Sequence, residues 1–149
     1  MVKIYDVILA IKSEIKKCVP AAKFYLGRLP ENPSRPSFLF SIAFAKDRRS
    51  TFLTQTRALS IQIIHFGELD EDEKEDLAEQ LKTVESLRGF LNRFLLKVGD
   101  RSLTFDFDIG SADEQLSILL DFKFKDSLDV SEEQFELIKE IFVNEEAIS

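Results

Sequence analysis

Two stretches in the last third of the chain alternate apolar and polar residues at nearly every second position. The first covers residues 103–109, Leu-Thr-Phe-Asp-Phe-Asp-Ile, and the second covers residues 116–124, Leu-Ser-Ile-Leu-Leu-Asp-Phe-Lys-Phe. A period of two is that of a β-strand, in which successive side chains point to opposite faces. The two stretches therefore predict neighbouring strands of an antiparallel sheet with one packed face and one face in water.

Length and composition are those of one globular domain, which we expect over residues 1–149. The 44% apolar content fills a core, and the 32% charged content covers a surface. Cys18 is the only cysteine, which excludes a disulfide within one chain. No apolar run has the length of a signal peptide or a membrane span, so we expect a protein that works in a reducing cytoplasm or in a particle assembled there.

The formal net charge of −7 argues against a protein whose main task is to bind nucleic acid phosphates. Such binding requires a strong positive field, although a local basic patch is still compatible with the composition. An acidic surface also suits a protein past which nucleic acid slides without sticking.

The first half of the chain predicts one helix and three strands. Apolar residues at steps of three and four indicate an amphipathic helix over 4–18, which Pro20 ends. A short strand is expected over 23–28, followed by a rigid crossing loop over 30–36 that contains three prolines. Alternation then predicts a long β-hairpin over 38–66 with a polar loop, Lys46–Ser50, at its tip.

The second half predicts a helix, three strands and a last helix. An acidic stretch from Leu69 to Asp76 opens the first of these helices, with Asp70 and Glu73 at the spacing of a capping box. We expect Leu77, Leu81 and Val84 to form its buried stripe. Gly89 is expected to end the helix. Strands follow over 93–98, 103–109 and 116–124, with a turn at 99–100 and a loop at 110–114, and a terminal helix is expected over 131–146.

These elements predict an α+β domain with the order α-β-β-β-α-β-β-β-α. Because short hairpins join most of the strands, the sheet should be mostly antiparallel, with the helices packed against it.

One basic cluster stands out, at and near the tip of the predicted hairpin. It consists of Lys46, Arg48, Arg49 and Arg57. A solvated loop and a nucleic-acid contact are both compatible with it. Because the cluster is small and the chain is acidic, we favour a contact with an acidic patch of a partner protein or a neighbouring subunit.

Three aspartates form the second candidate surface. Asp106 and Asp108 share one face of a predicted strand, and Asp121 should lie on the same face of the next strand. Clustered carboxylates hold Mg²⁺ or Mn²⁺ in nucleases, which would make the chain a metal-dependent enzyme. A solvated sheet face and an acidic assembly surface are the other two interpretations.

The remaining candidate residues give little support for catalysis. His65 is the only histidine, and no flanking signature accompanies it, so we interpret it as a residue at the rim of the core. Cys18 is interpreted as a small apolar filler at the end of the first helix. No glycine-rich phosphate loop and no HExxH metal motif occurs, and we expect no catalytic, cofactor-binding or metal site.

The succession of motifs resembles a known family. It comprises the helix 4–15, the segments Lys23-Phe-Tyr, Pro36-Ser-Phe-Leu-Phe and 57–66, the helix 77–82 and the strand 116–124. This succession is similar to that of the tail terminator, or tail completion, proteins of phages and prophages of Gram-positive bacteria. The resemblance covers about residues 1–125, and the part from 126 to 149 resembles a variable C-terminal extension. A departure from the family pattern is the loop 110–115, where a tighter Asp-Gly turn is common.

The resemblance implies a structural role and no enzymatic activity. Members of this family form a ring, usually a hexamer, on the head-proximal end of the tail tube and stop its polymerisation. The implied partners are further copies of the chain, the tail tube protein and a head-completion or neck protein, and DNA passes through the ring without specific binding. The implied location is the virion tail, assembled in the host cytoplasm, without a membrane. The alternative within the same particle is a neck or head-completion protein.

Overall fold

The computed structural model of the chain describes residues 1–127 together with Glu136, Leu137 and Glu140. Two helices and six strands follow one another in the described chain, and more residues lie in strands than in helices. The elements are α1 (Ile4–Cys18), β1 (Lys23–Leu26), β2 (Ser37–Arg49), β3 (Thr54–Phe66), α2 (Leu77–Leu91), β4 (Leu95–Val98), β5 (Arg101–Ala112) and β6 (Gln115–Ser127). This α+β order agrees with the predicted one as far as β6. The predicted terminal helix over 131–146 lies outside the described residues, apart from the three helical positions already named.

The six strands form one sheet in the order β1-β2-β3-β6-β5-β4. Every pairing is antiparallel except that of β1 with β2, which is parallel. Parallel neighbours cannot be joined by a tight hairpin, so the chain must travel back between them. The proline-rich segment predicted as a rigid crossing loop provides this return, because it lies between the end of β1 and the start of β2.

Both helices contribute to the core on one face of the sheet, which we call the inner face. Alternate residues of β3, from Gln55 to His65, are buried on this face. Helix α1 packs its predicted apolar stripe on the same core: Val7, Ile8, Ile11 and Ile15 are buried, and Ile4 is partly buried. The opposite face, which we call the outer face, carries the other alternate residues, and these are half-buried in β3.

Helix α2 begins later than the acidic segment from Leu69 to Asp76 suggests. Asp76 caps the helix by accepting a hydrogen bond from the Ala78 N–H, 2.9 Å away. The predicted cap, Asp70, instead accepts hydrogen bonds from the N–H groups of Asp72 and Lys74. The predicted capping box is therefore wrong, because this aspartate satisfies a local turn in place of a helix terminus.

The buried face and the end of α2 also differ from the prediction. Leu77 and Leu81 are exposed, and the buried residues are Val84, Leu87, Phe90 and Leu91. Gly89 does not end the helix, because α2 continues to Leu91 and Asn92 caps it. In its first half α2 meets the sheet through polar side chains instead: Gln80 donates a hydrogen bond to the Glu114 carbonyl, and the Thr83 hydroxyl lies 3.2 Å from His65 Nε2.

The two long hairpins are tighter than predicted. Strand β2 runs to Arg49, so residues predicted as a loop belong to the ladder and the turn covers residues 50–53. In the other hairpin Ala112 pairs with Gln115, and the turn is Asp113 and Glu114, both with positive φ. This two-residue geometry matches the right-handed twist of the strands. The predicted loop at Lys46–Ser50 is too long because charged residues occur in edge strands as well as in loops.

A buried ion-pair network fastens the chain start to the end of the sheet. Asp126 on β6 accepts hydrogen bonds from the Val2 N–H at 2.7 Å and from guanidinium nitrogens of Arg57 and Arg101, each at 3.1 Å. The Arg57 guanidinium also pairs with Asp47 and donates to the Val2 carbonyl. Burial raises the pKa of Asp126, but the hydrogen bonds from Val2, Arg57 and the Ser127 N–H outweigh it and hold that pKa below its ordinary value. The predicted boundary between the family-like core and the variable C-terminal extension, after residue 125, falls inside β6 and next to this network.

We expect Asp126→Asn to lower the free energy of unfolding by about 3 kcal/mol, because it removes the buried carboxylate that pairs with Arg57 and leaves that guanidinium only the half-exposed Asp47 as an ionic partner. Chemical denaturation at neutral pH measures this change. The control is Glu85→Gln, which removes an exposed ion pair with Arg88 and should cost less than about 0.5 kcal/mol. Equal stability of both variants would contradict the structural role of Asp126.

We also expect stability to depend on pH through His65, which is buried against Phe38 with its Nε2 3.2 Å from the Thr83 hydroxyl. Burial lowers the pKa of His65 below its usual 6.5. The unfolded state therefore takes up the proton first, and the stability present above pH 6.5 is lost as the pH falls below that value. Denaturation between about pH 5 and 7 measures the slope, at most about 1.4 kcal/mol per pH unit. The same slope in His65→Gln would assign it to other groups.

Candidate functional site

The predicted basic residues lie on and beside a part of β2 that has no neighbour on one side among the described residues. Strand β1 pairs only with Ser37 to Phe40 of β2, so within this part of the chain the stretch from Ser41 to Arg49 is an open sheet edge. Lys46, Arg48 and Arg49 are exposed on this stretch. None of the three makes an ion pair with any residue that the structure describes. Their charges are thus free for contacts outside the chain.

Arg57 is separated from this group, although its sequence position suggested one cluster. It lies opposite Asp47 on the inner face of β3, where it is buried and bonded to Asp126. Its guanidinium also lies over the Phe124 ring, 5.4 Å from the centroid. This residue therefore supports the hairpin from inside, and only Lys46, Arg48 and Arg49 face solvent.

The predicted acidic residues share the outer face of the sheet. Asp106 lies directly opposite Asp121 across β5 and β6, and Asp108 lies opposite Leu119. The hydroxyl of Ser60, on the next strand, donates a hydrogen bond to Asp121. Like charges placed directly opposite each other on neighbouring strands are destabilising, so this pair is an electrostatic cost within the sheet.

Basic residues border the acidic surface. Arg93 and Lys123 line a shallow depression on the outer face together with Asp106 and Asp121. Within the part of the chain that the structure describes, no three histidine, cysteine or acidic side chains come together as a metal ligand set. The geometry therefore gives the metal-dependent enzyme no support.

Neither of the two remaining candidate residues forms a site with the others. His65, interpreted as a residue at the rim of the core, is buried near the end of β3 and packs on Phe38 with ring centroids 4.6 Å apart. Cys18 is half-buried at the end of α1 and packs against the core. The feature that sequence reasoning missed is the pair of open sheet edges, whose only signal is that β1 and β4 are much shorter than β2 and β5.

A family model described as "Phage tail terminator protein" matches residues 6–134 of the chain. The chain belongs to this family. Membership makes it a structural component of a phage tail, and its location is the virion tail. The match includes both the basic edge and the acidic face. No curated protein matches the chain with significant similarity.

Both of the described helices are too short and too polar to cross a lipid bilayer.

Neutralising one member of the opposed aspartate pair should stabilise the fold. We expect Asp106→Asn to raise the free energy of unfolding by about 0.5 kcal/mol, because it removes the repulsion with Asp121. The matched control is Asp108→Asn, which faces Leu119 and should change stability little. Denaturation at low ionic strength compares them, and a destabilised Asp106→Asn would show that the carboxylate has a favourable partner within the fold.

Proposed function

We propose that the chain forms a ring on the head-proximal end of the tail tube, stops tube polymerisation and presents a surface to the head-completion protein. The observation that carries this proposal is the family match over residues 6–134. A hexamer is the expected ring size from the same resemblance, as are a Gram-positive host and assembly in its cytoplasm. These statements remain predictions of the proposal.

The distribution of charge supports self-association. A ring built from one kind of chain requires two different surfaces of the same molecule to fit each other. The chain offers a basic edge on β2, formed by Lys46, Arg48 and Arg49. It also offers an acidic outer face on β5 and β6, formed by Asp106, Asp108 and Asp121, and β3 separates the two in the strand order. Complementary charge on such surfaces fixes their register and disfavours contact between two identical surfaces.

The acidic face also suits a channel for DNA. A wall that must let DNA pass should not bind its phosphates, and carboxylates on the outer face provide such a wall. We therefore propose that Asp106, Asp108 and Asp121 face the lumen or a subunit interface. A structure of the assembled ring with all three on the outer perimeter would overturn this part of the proposal.

Deletion of the gene from its prophage should give overlong tails or tails without heads, since nothing would stop tube growth or form the joining surface. Electron microscopy of induced lysates measures tail length and the fraction of joined particles, and the gene on a plasmid should restore both. Tails of normal length without heads would favour a neck or head-completion protein. Normal joined tails would exclude both roles, and heat on calorimetric titration with Mg²⁺ or Mn²⁺ would then favour a metal-dependent enzyme.

Reversing the charge of the basic edge should impair assembly without unfolding the chain. We expect Arg48→Glu with Arg49→Glu to fail to restore joined tails in the deletion strain, because both side chains are exposed and neither forms an ion pair with a residue that the structure describes. The control reverses two exposed charges on α2, Lys82→Glu with Arg88→Glu, and should restore them. Equal rescue by both double variants would remove the basic edge from the proposal.

A further inference from the structure

At each edge of the sheet, a short outer strand covers only part of the long strand beside it. On one side β1 covers β2 only as far as Phe40, and no other residue that the structure describes pairs with Ser41–Arg49 on that side. On the other side β4 covers β5 only from Arg101 to Thr104, which leaves the stretch from Asp106 to Ala112 open within the described chain. The open stretches are similar in length. An open edge exposes unpaired backbone N–H and C=O groups, and proteins usually cover or protect such edges.

Exposed apolar side chains collect at these same two edges. Leu26, Ile42 and Phe44 lie on the edge formed by β1 and β2, and each has about half of its surface exposed. Phe94, Leu95 and Ile109 lie on the edge formed by β4 and β5, with 45%, 43% and 37% of their surfaces exposed. Apolar residues on both edges are typical of surfaces that are buried in an assembly.

We propose that the open stretch of β2 pairs antiparallel with the open stretch of β5 in a second copy of this chain, so that the sheet continues from one subunit into the next. This inference rests on the self-association proposed above and names the contact that produces it. The pairing places Phe44–Arg48 of one copy beside Asp106–Gly110 of the other.

The backbone hydrogen-bonding pattern allows this register. The Phe105 N–H donates to the Phe94 carbonyl, so the backbone groups of the alternate residues Phe107 and Ile109 point to the same open side. On β2 the Phe40 carbonyl points outward, where it accepts from the Gly27 N–H. The bulge between Ile42 and Phe44 then shifts the alternation by one residue. After the bulge, the backbone groups of Ala45 and Asp47 point outward.

Aligning these outward groups pairs Ala45 with Ile109 and Asp47 with Phe107. The same alignment places Lys46 opposite Asp108 and Arg48 opposite Asp106 on the outer face. It also places Phe44 beside Gly110, which has open space where a side chain would be. One alignment therefore gives the open backbone groups hydrogen-bond partners, pairs opposite charges and covers the exposed phenyl ring of Phe44.

Charge also selects against the other ways of pairing these edges. Two β2 edges would bring basic residues together, and two β5 edges would bring Asp106 and Asp108 together, so both symmetric contacts are repulsive. Only the contact between unlike edges is attractive, and such a heterologous contact produces either a ring or a filament.

The alignment includes a stagger. Within one sheet, Gly110 is level with Leu39 through the successive pairings of β5, β6, β3 and β2. Between copies it lies opposite Phe44, so each subunit is displaced along the strands by roughly 15 Å. A stagger of this kind closes a sheet when its strands are tilted to the ring axis, as they are in β-barrels.

Disulfide trapping tests the register directly. In a Cys18→Ser background, we expect a chain with Lys46→Cys and a second chain with Asp108→Cys to form a mixed disulfide dimer, because side chains directly opposite each other lie within disulfide reach. The control pairs Lys46→Cys with Lys123→Cys, which is exposed on the same face but lies away from both edges. The same comparison in tails from complemented lysates tests the assembled state. Equal trapping in test and control, or none in assembled tails, overturns the inference.

A charge exchange provides the second test. Lys46→Asp with Arg48→Asp should weaken association about tenfold, which corresponds to ~1.4 kcal/mol, and Asp106→Lys with Asp108→Lys should do the same. A chain carrying all four substitutions should regain association, because the pairs are restored with reversed polarity. Light scattering of the purified chains and rescue of joined tails measure both effects.

The two proposals fail in different ways. If the unaltered gene restores joined tails but the fourfold variant does not regain association and no cysteine pair is trapped, the edge pairing is wrong and tail termination stands. If deletion leaves tails normal while trapping and charge exchange succeed, the pairing stands and the tail function is wrong.

Discussion

The pairing of β3 with β6 is the constraint on which the rest of the structure depends. It joins the two halves of the chain over the full length of both strands, from Thr54 opposite Ser127 to His65 opposite Leu116. Because side chains alternate between faces, a slip of one residue would exchange the buried and the solvated sets. The registers of β2 on one side and β5 on the other follow from this central pair.

Two polar arrangements depend directly on that register. On the inner face it brings Asp126 to Arg57, so that the chain start and two strands share one buried ion-pair network. On the outer face it brings Ser60 to Asp121, which in turn faces Asp106. The first arrangement stabilises the fold, whereas the second places like charges side by side at some cost. That cost is understandable if the acidic surface takes part in assembly, as proposed above.

The short strands β1 and β4 determine what the sheet offers to a partner. Each covers only part of the long strand beside it, and the uncovered parts carry opposite charge, basic on β2 and acidic on β5. For a structural protein of a phage tail, whose proposed task is to close a ring, two unlike and complementary edges provide contacts with direction. The same features would be an aggregation hazard in a protein that works alone.

The sequence by itself determined the local elements and their order. Period-two alternation located β5 and β6, helical spacing located α1 with the bounds found in the structure, and the proline segment marked a crossing loop. The motif order pointed to the tail terminator family. These features depend on neighbours along the chain, which is why they can be read without a structure.

Only the tertiary structure decided which residues face which partner. Arg57 and Arg48 look alike in sequence, yet Arg57 lies on the inner face and Arg48 on the outer face, because the bulge in β2 and its register with β3 assign their faces. Asp70 has the spacing of a helix cap, yet it accepts hydrogen bonds in a local turn and Asp76 caps α2 in its place. The open edges can be recognised only in the folded sheet. Whether a strand has a neighbour depends on contacts between residues that are far apart in the sequence.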